Sequence, residues 1–176
     1  MEKLKNKRLW VMVGVPGSGK STFIANHKDF FNEQKAIISR DEIRFSFMKE
    51  GDSYFTNETK VFNEFIKQII NSLNTNIDTI VDATHISKGS RRKLLKALGT
   101  NLKDIEVNAI VISVPLDVAI ERNNKREGIK IVPEIAIMKM YNNYEEPIIE
   151  EGFDNIWIRN EVLGEEKPTY KIIKRS

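Results

Sequence analysis

Leu9-Trp10-Val11-Met12-Val13 runs directly into Gly14-Val15-Pro16-Gly17-Ser18-Gly19-Lys20-Ser21. A continuously apolar run of this length is what a strand buried on both faces of a parallel sheet needs. The residues after it satisfy G-x-x-x-x-G-K-[ST], and a helix is expected from about Lys20 to His27. Strand, glycine-rich loop and helix in that order form a phosphate cradle. The glycines let the backbone curl so that successive N–H groups converge on one anion, and the positive end of the helix adds to the attraction. Gly14, Pro16, Gly17, Ser18, Gly19, Lys20, Ser21 and Thr22 are therefore expected around the phosphates of a nucleoside triphosphate. Lys20 should reach the β- and γ-phosphates, and the Ser21 hydroxyl should ligand Mg²⁺.

Outward from this cradle, apolar runs alternate with helical patterns, the mark of parallel βα units. Strands are expected at Ala36–Ser39, Thr79–Asp82, Val107–Val114 and Ile156–Ile158. Helices are expected at about Asn57–Leu73, Gly89–Leu98, Leu116–Asn123 and Pro133–Tyr144. The tail beyond Arg159 is polar, with Tyr170–Ile173 a candidate edge strand. With no repeat, low-complexity tract or linker, the reading is one α/β domain over 1–176, with a core of about 8–160 and a C-terminal tail over 161–176.

Composition bounds the function. The chain has 176 residues, 40% hydrophobic and 30% charged, which is ordinary for a globular domain. It has no cysteine, which removes disulfides and thiolate metal sites and favours a cytoplasmic setting. The charged start, Met1 to Arg8, does not read as a signal peptide, and no apolar run is long enough for a membrane span. The net charge of +3 permits an anionic partner without requiring one.

Three further segments carry chemistry. Ser39-Arg40-Asp41-Glu42-Ile43-Arg44 follows the second strand, and ligands of parallel sheets bind beyond the carboxyl ends of strands. Asp41 can accept the proton of an acceptor hydroxyl, or it can merely cap a helix beginning at Glu42. Arg44, one helical turn later, can hold an anionic part of the acceptor. In Thr79-Ile80-Val81-Asp82-Ala83-Thr84-His85, the acid at the strand end can hold Mg²⁺ through water or orient a catalytic arginine such as Arg44. Thr84 can bond a ligand or cap a turn, and His85 reads as a packing or surface residue. Arg122-Asn123-Asn124-Lys125-Arg126-Glu127-Gly128 lies between two helices. A lid over about 122–132 is expected there, with Gly128 as hinge and Arg122 and Arg126 stabilising the charge of phosphoryl transfer. Four apart, the two arginines project from one side if the helix continues through them.

Together, the P-loop, Ser39-Arg40-Asp41-x-x-Arg44, Asp82-Ala83-Thr84-His85 followed by Arg91-Arg92, and Arg122-Asn123-x-x-Arg126 with Val132-Pro133 resemble the 5′-kinase domain of phage T4-type polynucleotide kinase. The resemblance spans about Leu9 to Tyr144. It implies a P-loop kinase-type three-layer sandwich, with a mostly parallel central sheet, helices on both faces and an arginine-bearing lid. It implies ATP and Mg²⁺ as cofactors, nucleic acid 5′ ends (DNA or RNA) as substrate, and a phage or bacterial repair setting. By the same resemblance, Asp41 is the general base for a 5′-hydroxyl and Arg44 holds the phosphate next to the acceptor nucleoside. Asp82 sits in the network that positions it, and Lys20, Ser21, Arg122 and Arg126 serve the triphosphate. Arg91, Arg92 and Lys93 are expected to hold the oligonucleotide electrostatically.

Two other readings compete. One is a P-loop kinase for a small phosphorylated nucleoside or another metabolite hydroxyl, because one scaffold serves many substrates. The other is a nucleotide-binding module without chemistry, against which Lys20, Ser21, Asp41 and both lid arginines speak. The oligomeric state is not legible.

Overall fold

Leu9, Val11 and Val13 of β1 (Lys7–Val13) face one side of a sheet and Trp10 and Met12 the other, and both sides are covered. The computed structural model describes residues 7–160 and 169–176. The sheet order is β2-β3-β1-β4-β5-β6. β2 (Lys35–Ser39), β3 (Asp78–Asp82), β4 (Ile105–Ser113) and β5 (Asn155–Asn160) run parallel with β1, and β6 (Thr169–Lys174) is antiparallel to β5.

One layer is formed by α3 (Glu58–Thr75) and α4 (Lys88–Leu98). Their Val61, Phe65, Ile69, Leu73, Leu94 and Leu98 recur at helical spacing and bury against Leu9, Val11 and Val107. Truncating a side chain such as Phe65 here costs about 3–5 kcal/mol. The other layer is aromatic: Phe23 of α1 (Lys20–Asn26) and Phe31 pack on Trp10, Met12 and Ile110. A third cluster joins α5 (Leu116–Asn124) and α6 (Glu134–Asn142) to the P-loop through Ala119, Val132, Ile137 and Val15.

This register gathers the chemistry at one end. Ser39 pairs with Asp82 across β2 and β3, so Asp41 and Asp82 leave neighbouring strands at the same edge. The P-loop leaves β1, which pairs with β3, at that edge too.

Boundaries differ in ways that bear on function. α2 (Arg40–Phe47) begins at Arg40, not Glu42, because the Ser39 side chain takes the capping role and accepts the Glu42 N–H at 3.3 Å. Asp41 therefore lies inside the first turn and is not the cap. β4 starts two residues before the expected Val107 and ends at Ser113, and α6 ends at Asn142. The candidate edge strand is β6, where Ile173 pairs with Ile156 and Ile172 with Trp157. The rest of the expected tail, 161–168, lies outside the described residues. Among the described residues, no helix is long and apolar enough to cross a membrane.

Candidate active site

The P-loop passes close over α5 at Gly17. A Cβ on Gly17 would lie 2.1 Å from the Ala119 carbonyl oxygen, and Gly17 has φ +81°, so only glycine fits. Lys20 is buried and its Nζ donates to the carbonyls of Gly14 at 2.9 Å and Val15 at 3.0 Å, which lays it across the loop. Burial lowers its pKa, opposed by Asp82 and Asp41 and assisted by Arg126. The Ser18 hydroxyl is buried with no hydrogen-bond partner among the described residues. An unpaired buried donor beside a curled backbone suits an anion.

Ser21 Oγ donates to Asp82 Oδ2 at 2.7 Å, which joins the loop to the end of β3. Gly14 N–H donates to the Thr84 carbonyl at 2.9 Å and makes a second tie between the same segments. A hydroxyl and a carboxylate are hard oxygen donors. Mg²⁺ is usually held by one or two such protein oxygens with phosphate and water completing its shell, so this pair fits the ion.

Lys20, Asp41, Asp82, Thr84, Arg126 and Lys130 line one cleft of about 320 Å³. On its far wall the Arg44 guanidinium, 5% exposed, is the centre of a polar network. It donates to Asp41 Oδ1, and from Nε and Nη2 to Glu58 Oε1 at 3.0 and 2.8 Å. Tyr54 Oη donates to Asp41 Oδ1 at 2.6 Å, and Arg40 Nη2 donates to Glu58 Oε2 at 2.9 Å. Arg44 thus reaches Asp41 and Glu58, not Asp82, which bonds Ser21 instead.

Arg122 and Arg126 separate. α5 stops at Asn124 and Lys125 turns the chain, so Arg126 lies beyond the helix and the condition for a side shared with Arg122, a helix continuing through both, is not met. Arg126 faces the Lys20–Asp41 cleft. Arg122 lines a second cavity with Gly19, Thr22 and Arg159, and its Nη1 donates to the Ser18 carbonyl at 3.5 Å. Buried Asn123 closes the base of the segment between them: its Nδ2 donates to the Val132 carbonyl at 2.9 Å and its Oδ1 accepts the Val132 N–H at 3.0 Å. Gly128 has φ +55° with open space at its Cβ position, as a flexible point in that segment requires.

The basic segment of α4 is not all surface charge, as the expected oligonucleotide contact by Arg91, Arg92 and Lys93 requires. Arg91 is fully buried, paired by Nε and Nη2 with both Glu151 oxygens at 2.8 Å, and donates to the His85 carbonyl at 3.0 Å. Its charge is spent inside the fold and offers nothing to an oligonucleotide, whereas Arg92 and Lys93 are exposed. His85 is a packing residue, stacked on Phe65 at 6.2 Å with Nδ1 donating to the Met12 carbonyl at 3.2 Å. Burial pushes its pKa down to about 3, so it stays neutral.

Two participants were not singled out from sequence, Tyr54 and Glu58, and Asn123 entered only as a letter of the Arg122-Asn123-x-x-Arg126 motif, without a role. Glu58 had a faint signal as the first residue of a helix close after an arginine-rich segment. Tyr54 had none.

A P-loop at the carboxyl end of an interior strand of a mostly parallel six-stranded sheet, with an acid at the end of the neighbouring strand and Arg126 in the same cleft, defines a P-loop kinase-type domain. A family model described as an AAA domain matches residues 9–147, most of the chain, and the chain belongs to that family. A putative bifunctional polynucleotide kinase/RNA ligase of Autographa californica nuclear polyhedrosis virus is 26% identical over 153 residues, 79% of this chain and 21% of the relative. The chain thus spans about a fifth of that relative's length. Among solved structures, a chain of the Pnkp1/Rnl/Hen1 RNA repair complex matches with TM-score 0.65 and 26% identity, over 81% of this chain and 45% of that one. A sugar kinase from Janibacter sp. HTCC2649 shares the fold, with TM-score 0.57 and 19% identity over 86% and 85% of the two chains. The resemblance carried by the motifs is borne out: the domain is homologous to the polynucleotide kinase-type relatives.

Proposed function

We propose that this domain transfers the γ-phosphoryl group of ATP to the 5′-hydroxyl end of DNA or RNA. The observation that carries the reading is the Asp41 carboxylate lining the same cleft as Lys20 and Arg126. Support for a nucleic acid acceptor comes from the polynucleotide kinase/RNA ligase and RNA repair relatives.

The phosphates lie in the P-loop, with Lys20 drawn from its loop carbonyls to the β- and γ-oxygens. The nucleoside extends along α1 toward the cavity bordered by Arg122 and Arg159. Mg²⁺, when bound, neutralises charge on the β- and γ-phosphates, and Ser21 and Asp82 are the residues that would hold it. Asp41 takes the proton of the acceptor hydroxyl as its oxygen bonds to the γ-phosphorus and the bridging P–O bond breaks, leaving ADP. Arg126 faces the charge that develops between donor and acceptor, and Lys130 adds a second cation at the mouth.

A second reading has an observation of its own. Arg44 is enclosed by Glu58, Asp41 and Tyr54, and a cleft of about 320 Å³ suits one nucleoside-sized group, so a small metabolite hydroxyl also fits. Comparing a 5′-hydroxyl oligonucleotide, a nucleoside 3′-phosphate and phosphorylated sugars as acceptors separates the two. kcat/KM is expected to be highest for the oligonucleotide, and a higher value for a small acceptor favours the alternative.

A further inference from the structure

Between α2 and α3 the chain makes two tight turns that hold residues 48–57 in a defined shape. Lys49 N–H donates to Asp52 Oδ2 at 2.9 Å, Thr56 N–H to the Ser53 carbonyl at 3.0 Å, and the Ser53 and Thr56 hydroxyls share a hydrogen bond at 3.1 Å. Asn57 then adopts φ +64° and starts α3. The loop carries Tyr54 and Phe55 into the wall of the cleft, and the roles given to the P-loop, the strand-end acids and Arg126 leave both unused.

Tyr54 engages the acceptor machinery twice. Its hydroxyl donates to Asp41 Oδ1, and the Arg44 guanidinium carbon sits 4.6 Å from its ring centre. Arg44 donates to the same Asp41 oxygen. With both bonds on Oδ1, the carboxylate is fixed at one oxygen while Oδ2 remains for an acceptor hydroxyl. Burial, followed by the Asp41 carboxylate, holds the Tyr54 phenol well above its ordinary pKa, so it stays a donor. It therefore orients Asp41 without competing for the acceptor's proton.

Phe55 does something different. Its ring is 45% exposed at the cleft, 5.0 Å from Tyr54 at an interplanar angle of 77°. Tyr54 meets it edge to face, which does not cover the Phe55 ring by stacking. Phe45 of α2 and Met140 of α6 give the same cleft further apolar side chains. A flat apolar face beside a carboxylate that accepts a sugar hydroxyl's proton matches a nucleoside, whose planar base stands beside its ribose.

We propose that this loop is the acceptor reader of the cleft: Tyr54 is a positioning residue that fixes Asp41 so that Oδ2 takes the proton, and Phe55 stacks on the terminal nucleobase of the acceptor. It rests on the reading of the domain as a 5′-hydroxyl kinase. Stacking uses the π-face that every base has, so the site accepts all bases while rejecting acceptors without one.

The test uses two 5′-hydroxyl oligonucleotides, identical except that the 5′-terminal nucleoside of one is abasic. Phe55→Ala raises the KM of the normal oligonucleotide on the order of 10-fold and leaves that of the abasic one unchanged, and Phe55→Trp restores it. Tyr54→Phe keeps the ring under Arg44 and lowers kcat on the order of 10-fold for both acceptors, with the KM for ATP unchanged. Equal shifts of both KM values by Phe55→Ala, no shift of either, or a wild-type kcat in Tyr54→Phe overturns the proposal. If the wild-type protein phosphorylates neither oligonucleotide, the 5′-kinase reading falls with it, an outcome distinct from any result with the variants.

Discussion

Arg122 and Arg126 are four residues apart in sequence and line different cavities, Arg122 beside Gly19 and Thr22 and Arg126 beside Lys20 and Asp41. The division gives them different work. Arg126→Ala should lower kcat on the order of 10²-fold or more, and Lys should rescue it poorly because it lacks the planar fork. Arg122→Ala should chiefly raise the KM for ATP. Steady-state kinetics with each substrate varied checks this, and matching kcat and KM effects at the two positions contradict it.

Ser21 and Asp82 are bonded to each other, so each has its oxygen placed by the other. Ser21→Ala and Asp82→Asn should each raise the Mg²⁺ concentration for half-maximal activity by on the order of 10-fold. A Mg²⁺ titration at saturating ATP reads this directly. An unchanged midpoint in both variants removes the pair from the metal site.

Arg91 and Glu151 have side chains 0% and 3% exposed. Truncating one leaves the other's charge buried without its partner, at a cost of about 3–5 kcal/mol. Arg91→Ala and Glu151→Ala should both shift the urea midpoint strongly downward, whereas Arg92→Ala should leave it in place. Acceptor KM should rise with salt through exposed cations such as Arg92 and Lys93, and neutralising these two should flatten that dependence.

His85 makes stability depend on pH. Its folded pKa lies at about 3, below the ordinary value of 6.5, so between those values the unfolded chain binds the extra proton and the folded one does not. Stability from this group is present above 6.5 and is lost as pH falls toward about 3. Thermal melts at about pH 7 and about pH 4 should show a smaller loss in His85→Gln than in wild type. Identical losses contradict the buried neutral imidazole.

What the sequence made legible was local. The P-loop is written in contiguous residues, and Asp41 with Arg44 in a spacing of one helical turn. Tyr54 and Glu58 reach Asp41 and Arg44 across an irregular loop whose path no periodicity encodes. Arg91 read as surface charge because its partner, Glu151, lies 60 positions on. The end of α5 was legible to within one residue, Asn123 against the observed Asn124, but the sequence left open whether the helix ran on through Arg126, because the first glycine is Gly128. That one boundary decides where Arg126 points.

In the proposed reaction, Asp41 takes a proton from a nucleic acid 5′-hydroxyl while the P-loop holds ATP. The most direct measurement is transfer of label from γ-labelled ATP to a 5′-hydroxyl oligonucleotide, by wild type and Asp41→Asn side by side, with ATP affinity measured in both. Label is expected at the 5′ end with wild type, nearly none with Asp41→Asn, and similar ATP binding in both. Robust labelling by Asp41→Asn, or none by wild type under conditions where a small metabolite is phosphorylated, contradicts it.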